Sequence, residues 1–333
     1  MKLSDIGEFG LIEKFIEPPF VHLQQKGQTG IGDDCAILPY DRKHVQLLTT
    51  DLLIGGSHFL RHKISPADLG FKSLAVNLSD IAAMGGTPIG SILSIALPGE
   101  LDVQWIEHFM QGYHQLSDKE GTPLLGGDTT KSENNIVINV AVLGRMDAAR
   151  VKLRSGAQTG DIICVPDVLG DSAGGLQCLL NDVPRDASTE PLYHQHFRPY
   201  PKMAEGQWFA AQRGVHAMLD ISDGVSSDLM HILNRSSAAA EVNVDAIPLS
   251  EALQENGRRL NWNIMELALA GGEDYSLLIT VDGPSYSGIA KQFEQTFKRP
   301  LHAIGKIIKG DPQITYLSNG KIVSPFKQGY THF

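Results

Sequence analysis

The stretch SPADLGFKSLAVNLSDIAAMGG, residues 65–86, has the features of a long helix in apolar surroundings. Ser65 can cap the N-terminus of this helix, and Asp68 follows at the spacing of a capping box. Gly85 stops the helix, because glycine adopts the left-handed conformation in which many helices end. The sequence therefore predicts a helix over Pro66–Met84.

Strand-length apolar runs alternate with segments of helical period on both sides of this helix, which is typical of a mixed α/β chain. In the first half, the predicted elements are strands over Val45–Thr50, Ile89–Leu97 and Ile136–Leu143 and a helix over Asp102–Lys119. In the second half, they are a strand over Asp161–Pro166, a helix from near Ser172, a strand over Ala217–Leu219, a helix ending near Asn234 and a type I′ hairpin turn at Asn319-Gly320. Residues 181–198 are polar and irregular, and we expect a surface excursion there.

The alternating pattern weakens between Gly144 and Gly160. We therefore place a domain boundary near residue 150, which divides the chain into residues 1–150 and 151–333. The two halves share a loose plan of strand, acidic loop and helix, and no short repeat is present.

The composition is that of an ordinary globular protein, with 42% hydrophobic and 20% charged residues among 333. A net charge of -10 argues against nucleic acid and anionic membranes as partners, because both require clustered Lys and Arg. The N-terminal residues contain no continuous apolar run, so we expect no signal peptide. Three cysteines without paired spacing indicate neither a disulfide framework nor a zinc site, and Cys35 is interpreted as a small buried residue. A cytoplasmic location is expected.

Aspartates placed singly in apolar or Gly/Ser/Thr surroundings are the main functional signal. They are expected at the ends of strands and helices, and the set is Asp33, Asp34, Asp51, Asp80, Asp128, Asp220 and Asp223. Any one of them is more often a turn or cap residue. Asp80 is different because it lies inside a predicted helix, three residues after Asn77, where it cannot cap.

Several Asp-bearing loops that meet in one cleft would suit Mg²⁺, which prefers carboxylate oxygens and shares substrate phosphates. Thr49 and Thr50 can add hydroxyl ligands beside Asp51, and neighbouring glycines let backbone N–H groups approach phosphate. The familiar nucleotide motifs are missing, including the GxxxxGK[ST] loop, GxGxxG after a strand and the HRD/DFG pair of protein kinases. Phosphate chemistry in this chain would therefore depend on aspartates.

A series of segments resembles the thiamine-monophosphate kinase family in order and spacing. The segments are GIGDDCAIL, TTDLLIGGSHF, SPADLGFKSLAVNLSDIAAMGG, LLGGDTT, RSGAQTGD, GDSAGG, DISDG and GGEDY. The match runs from Gly7 nearly to the C-terminal GYTHF, and the full set is highly specific. The family belongs to the superfamily of aminoimidazole ribonucleotide synthetase and selenophosphate synthetase.

The resemblance implies a two-domain fold like that of aminoimidazole ribonucleotide synthetase. In it, residues 1–150 would bind ATP and metal and form a homodimer, and residues 151–333 would form a C-terminal α/β domain. The implied reaction converts ATP and thiamine monophosphate to ADP and thiamine diphosphate, with several Mg²⁺ ions and no nucleic acid or membrane partner. No general base is expected, because the acceptor phosphate is already largely anionic at neutral pH.

Site residues carry over from the family's motifs position by position. The implied metal ligands are Asp34, Thr49, Thr50, Asp51, Asp80, Asp128, Asp220 and Asp223, the last for a further ion. The implied ATP contacts are Gly127, Asp128, Arg154 and Ser222, and the implied substrate contacts are His58 and Glu273. The chain departs from the family at Ser276, where GGEDYS replaces GGEDYE, and by one extra residue near the C-terminus. The resemblance implies an aromatic residue that stacks on the substrate, and the extra residue leaves both Phe326 and Tyr330 as alternatives for it.

Three alternatives remain at the level of the sequence. The first is another synthetase of the same superfamily; a selenophosphate synthetase usually carries a reactive Cys or Sec near its N-terminus, and no Cys precedes Cys35 here. The second is a phosphatase with an aspartate nucleophile in DISDG, which would form an acyl-phosphate. The third is a non-enzymatic divalent-cation module, although the DxDxDG loops of EF-hands are absent from the sequence.

Overall fold

The computed structural model describes residues 2, 5, 7–19, 24–324 and 326. Its strands are Ala36–Pro39 (β1), His44–Ile54 (β2), Thr87–Pro98 (β3), Leu124–Ser132 (β4), Val137–Asp147 (β5), Ile162–Val165 (β6), Val215–Asp220 (β7), Ala239–Asn243 (β8), Leu277–Val281 (β9), His302–Ile308 (β10), Ile314–Ser318 (β11) and Lys321–Ile322 (β12). Its α-helices are Gly7–Leu11 (α1), Pro66–Ala83 (α2), Val103–Lys119 (α3), Asp171–Leu180 (α4), Glu190–Phe197 (α5), Met203–Ala210 (α6), Val225–Ser236 (α7), Glu251–Leu260 (α8), Ile264–Ala270 (α9) and Gly283–Phe297 (α10). A π-helical turn follows α1, and single 3-10 turns follow β5 and β8. The chain is thus mixed α/β, as the alternation of patterns predicted.

The strands form two sheets. The first has the order β1-β2-β5-β3-β4 and contains only strands that precede residue 148. Its neighbours are antiparallel except β3 and β4, which are parallel because α3 carries the chain across between them. The second sheet has the order β12-β11-β8-β10-β6-β9-β7 and contains only strands that follow residue 161. This separation is compatible with the predicted boundary near residue 150, which stays a prediction.

Helix α2 lies between the two halves of the chain. Ser65 accepts the Asp68 N–H at 3.1 Å, which confirms the predicted cap, and Gly85 at a φ of +78° follows the helix as expected. The helix packs against β2 and β5 on one side and against β7 and α6 on the other. Two glycines permit this packing, since a Cβ at Gly112 of α3 would lie 1.7 Å from the Ala67 oxygen, and one at Gly206 of α6 would lie 2.1 Å from the Ala82 oxygen. Groups carried by α2 are therefore held close to both sheets.

The first sheet has a covered face and an open face. Leu47 and Leu53 of β2 are buried in the core that α2 shares, whereas Leu48 and Leu52 between them are 37% and 47% exposed. On β4 the exposed residues include Leu125, which is 62% exposed. Because alternate residues of a strand face opposite sides, these exposures define an apolar outer face of the sheet.

Three local predictions can be compared directly with the structure. The hairpin between β11 and β12 is confirmed, because Asn319 and Gly320 both have the positive φ values, 50° and 72°, of a type I′ turn. Strand β2 is longer than predicted and continues to Ile54, so Asp51 lies within it. Cys35 is buried, with 1% of its surface exposed, as its interpretation required.

Residues 181–198 were predicted to form an irregular surface excursion, and this prediction is wrong for residues 190–197. Residues 190–197 form helix α5, which buries Leu192, Tyr193, His196 and Phe197 against α4 and the core around α2. Between these positions His194 is exposed and Gln195 donates a hydrogen bond to the Asp274 carbonyl oxygen at 2.9 Å, so one side of the helix is buried and the other is polar. In the part of the chain that the structure describes, no helix combines the length and the apolar character that crossing a bilayer requires.

Candidate active site

Three carboxylates from distant parts of the chain meet where α2 passes the second sheet. Asp34 precedes β1, Asp80 lies in the last turns of α2, and Asp220 ends β7. One carboxylate oxygen of each lies within 4.8 Å of those of the other two. The structure therefore brings together residues of both halves, and we call Asp34, Asp80 and Asp220 the carboxylate cluster.

Neighbouring hydroxyl and amide groups set the positions of these carboxylates. Thr49 on β2 donates a hydrogen bond to Asp80, and Ser79 donates one to Asp220 at 2.6 Å. One turn earlier on α2, the side-chain oxygen of Asn77 accepts the backbone N–H of Asp51 at 3.0 Å. Helix α2 thus ties β2 and β7 together directly beside the cluster.

The cluster and its surroundings carry an excess of buried negative charge. Burial, together with the negative charges of Asp223 and Asp34, raises the pKa of Asp51 to about 6. Burial and Asp34 likewise raise the pKa of Asp220 to about 8, and the pKa of Asp80 lies well above its usual range because of burial and the neighbouring carboxylates. Burying several negative charges together costs free energy, and a bound cation that neutralises them removes this cost.

The positive side chain of Arg154 balances part of this negative charge. A terminal nitrogen of Arg154 lies 2.7 Å from Asp34 Oδ1, and the Arg154 backbone N–H donates to Asp33 at 2.6 Å. The other oxygen of Asp34 is buried and has no hydrogen-bond partner among the described residues. A buried, unpartnered carboxylate oxygen beside two further carboxylates is a donor set that fits a hard divalent cation.

A cavity of about 730 Å³ opens beside the cluster, between β2 and the second half of the chain. It combines six of the residues predicted from the sequence. They are Thr50, Asp51, His58, Ser222, Asp223 and Glu273. Apolar and acidic side chains complete other parts of the wall, among them Leu176, Leu267, Glu8 and Glu266. Such a mixed cavity, apolar with a few polar groups, is typical of a small-molecule binding site.

Glu273 enters this cavity from a strained loop. Its φ is 65°, and its backbone N–H donates to the Ser222 oxygen at 2.7 Å, which holds the loop against the end of β7. Its carboxylate pairs with Lys72 Nζ at 2.9 Å and lies 3.3 Å from His196 Nδ1. Sequence reasoning missed Lys72 and His196, because nothing near either residue in the sequence indicates that its partner is Glu273.

Gly127, Asp128 and Phe326 were also predicted from the sequence as site residues, but they do not line this cavity. Gly127 and Asp128 are on the exposed strand β4, with β5 and β3 between them and β2. Phe326 packs edge-on against Tyr316, with ring centroids 5.0 Å apart, and among the described residues it is not part of the cavity wall. Tyr330 lies outside the described residues. The roles predicted for these four residues stay predictions.

Comparison with known proteins places this geometry in a family. The family model described as AIR synthase related protein, N-terminal domain, matches residues 32–146. The thiamine-monophosphate kinase of Salmonella typhimurium is 38% identical over 98% of both chains, and that of Haemophilus influenzae is also 38% identical, over 98% of both. The chain belongs to the thiamine-monophosphate kinase family.

The family assignment extends to three-dimensional structure. The solved structure of AaThiL complexed with AMPPCP and TMP is 34% identical, with a TM-score of 0.85 over 100% of this chain and 99% of that one. The chain therefore shares the fold of that structure over its full length. This confirms the fold class predicted from the sequence.

Proposed function

We propose that this chain transfers the terminal phosphoryl group of ATP to thiamine monophosphate and releases ADP and thiamine diphosphate. The observation that carries the proposal is the cavity lined by Asp51, Asp223 and further acidic and apolar side chains, in which the carboxylate of Asp51 is close enough to Asp34 of the carboxylate cluster for the two charges to interact. Full-length similarity to thiamine-monophosphate kinases, and to a structure complexed with AMPPCP and TMP, supports the same reaction. The relatives favour it over the synthetase, phosphatase and cation-module alternatives.

The side chains that line the cavity suit both parts of this acceptor. Thiamine monophosphate carries a cationic thiazolium ring, and Glu8, Glu266 and Glu273 supply carboxylates near Leu176 and Leu267 in the cavity wall. Its phosphate would lie next to Asp51 and Asp223, which also line the cavity. This orientation puts the nucleophilic phosphate oxygen beside the carboxylate cluster.

The chain's own residues bind and align the reactants. Arg154 offers the nucleotide phosphates a cationic contact next to Asp34, and backbone N–H groups of the Gly127-Asp128 and Ser222 segments are further phosphate donors. Mg²⁺, when bound, would supply charge neutralisation between two polyanions. We propose as its ligands Asp34, Thr49, Thr50, Asp51, Asp80, Asp128 and Asp220, with Asp223 for a further ion. We propose as acceptor contacts His58, Glu273 and either Phe326 or Tyr330.

No side chain is assigned as a general base. The second pKa of a phosphate monoester is about 6, so the acceptor is a competent anion at neutral pH. His196, a histidine in the cavity wall, has its pKa lowered to about 4 by burial and by Lys72. Its Nδ1 faces both Ser172, at 3.1 Å, and Glu273, at 3.3 Å. A nucleophilic triad needs one ring nitrogen for the serine and the other for the acid, so these residues do not form one.

We further propose that the chain divides into residues 1–150 and 151–333 and forms a homodimer through the outer face of the first sheet. The exposed Leu48, Leu52 and Leu125 give this face the apolar character of a stable interface. Dimerisation there would also cover strand β4, with Gly127 and Asp128.

Sedimentation of the intact chain is expected to give a dimer, and Leu52→Asp is expected to give a monomer. A monomeric wild type would contradict the proposed interface. A cytoplasmic location stays a prediction.

The reaction is tested by incubating the protein with thiamine monophosphate, ATP and MgCl₂ and measuring product mass. Thiamine diphosphate and ADP are expected in equal amounts, and EDTA is expected to stop their formation. Parallel incubations with selenide or formylglycinamidine ribonucleotide distinguish the synthetase alternatives. ATP consumption that depends on either of these substrates, without thiamine diphosphate, would contradict the proposal.

A further inference from the structure

Helix α2 buries a full positive charge directly beneath the cavity. Lys72 is 1% exposed, and its Nζ donates to the His196 carbonyl oxygen at 3.0 Å and pairs with Glu273 Oε1 at 2.9 Å. An ammonium group taken out of water is costly unless a partner compensates it. The structure supplies that partner from the other half of the chain, 201 residues further on.

The carboxylate of Glu273 contacts Lys72 and His196, and part of the side chain is exposed to the cavity. Lys72 contacts one of its oxygens, His196 Nδ1 lies 3.3 Å from the other, and 26% of the side chain is exposed. The Ser172 hydroxyl, 3.1 Å from the same ring nitrogen, holds the imidazole in place. Burial alone would raise the pKa of Glu273, but Lys72 and His196 outweigh it, and the pKa lies below its ordinary value. An anionic carboxylate is therefore presented to the cavity.

The same helix carries Asp80, eight residues after Lys72. At a rise of 1.5 Å per residue, the two positions are about 12 Å apart along one rigid element. Helix α2 thus spans from the carboxylate cluster to the support of Glu273. A shift of this helix would move Asp80 and Lys72 together.

We propose that Lys72 is a positioning residue for acceptor recognition, which acts by holding the carboxylate of Glu273 against the cavity for the ring end of the acceptor. The inference rests on the proposed function and deepens it. Lys72 does not touch the reacting phosphates, so its effect belongs to acceptor binding and not to the transfer step. ATP binding depends on other residues and is independent of it.

The first test is Lys72→Met, which keeps most of the length of the side chain and removes its charge. We expect the KM for thiamine monophosphate to rise at least about 10-fold, because one partner of a buried charge pair is lost. The KM for ATP and kcat are expected to stay within about 2-fold of wild type. The matched control is Lys63→Met, since Lys63 also joins the two halves, through Leu179 and Asp182, but does not line the cavity. Its kinetic constants are expected to match those of the wild type.

A double variant separates positioning from general structural damage. Glu273→Gln and Lys72→Met/Glu273→Gln are expected to have the same KM for thiamine monophosphate, because Lys72 acts only through Glu273. This comparison also decides the question if Lys72→Met alone does not fold, since the double variant leaves no unpaired buried charge and the amide oxygen in Glu273→Gln can still accept a hydrogen bond from Lys72 Nζ. A further rise in KM in the double variant overturns the inference. So does a Lys72→Met protein that loses kcat, or affinity for ATP, as strongly as affinity for the acceptor.

The wild-type assay distinguishes the two levels of failure. If the wild type makes no thiamine diphosphate, the proposed function fails. If the wild type is active and Lys72→Met has an unchanged KM for the acceptor, only the role of Lys72 fails.

Discussion

Replacing Asp80 with asparagine is expected to remove turnover and to leave the fold intact. Asp80 contributes one of the three clustered carboxylates, and its loss should lower kcat by about 10³-fold or more, as when a main electrostatic contact to a transferring group is removed. The fold should tolerate the change because burial and negative neighbours already raise the pKa of Asp80 well above its usual range. The amide oxygen of asparagine can still accept the hydrogen bond from Thr49.

A matched buried aspartate provides the control. Asp161 is 2% exposed, accepts the Gln158 N–H at 2.8 Å and lies 3.0 Å from His216 Nδ1, at a distance from the cavity wall. Asp161→Asn is expected to cost stability, about 1–3 kcal/mol, and to retain turnover. Thermal unfolding and single-turnover kinetics on both variants should therefore give opposite patterns. Parallel loss of folding and activity in Asp80→Asn would mean that the cluster is structural.

The second large effect concerns pH and metal. Without a metal ion, the folded protein holds protons on Asp51 and Asp220, whose pKa values are raised to about 6 and about 8, after the unfolded chain has released them near pH 4. A group whose pKa is raised on folding stabilises the fold below its unfolded pKa, and that contribution is lost as the pH rises through the folded value. The free energy of unfolding should therefore fall between about pH 4 and pH 8. For Asp51 alone the loss is on the order of 3 kcal/mol, at 1.36 kcal/mol per pKa unit.

Magnesium should reverse this loss. A ligand that binds only the folded state at 100 times its Kd adds about 2.7 kcal/mol, and the gain should be larger at pH 8 than at pH 5 because protons compete for the same carboxylates. Urea unfolding in EDTA and in MgCl₂, at both pH values, measures the effect. Asp220→Asn is the reference, since it removes one of the titrating groups and should flatten the pH dependence. An equal slope for Asp220→Asn and wild type would show that the cluster does not cause it.

The elements whose signals are local could be predicted from the sequence. Helix α2 was predicted to within one residue, because a cap at Ser65 and a terminating Gly85 are encoded by neighbours in the chain. Strand β2 was predicted too short, because its pairing with β5 continues past Asp51 as far as Ile54. Helix α5 was missed, since its few apolar residues reveal a helix only once α4 covers them.

The residues of the candidate site likewise divide into those that a local sequence signal indicated and those that only the fold revealed. Asp80 could be singled out because a mid-helix aspartate in apolar surroundings has no local explanation. Asn77 and Ser79 could not, because their function is to bind Asp51 and Asp220, 26 and 141 residues away. Lys72 was also overlooked, since a lysine in a helix is ordinary until its partner is known.

By itself, the sequence determined the mixed α/β class, the long central helix and the set of aspartates, because each depends on periodicity or on residues within a few positions of one another. Only the tertiary structure decided that Asp34, Asp80 and Asp220 share one site and that Lys72 supports Glu273. Those relations arise when two sheets close on helix α2 and exclude water from charges that are far apart along the chain. Burial then turns ordinary carboxylates into a cation site, since the cost of an unpaired charge appears only away from solvent.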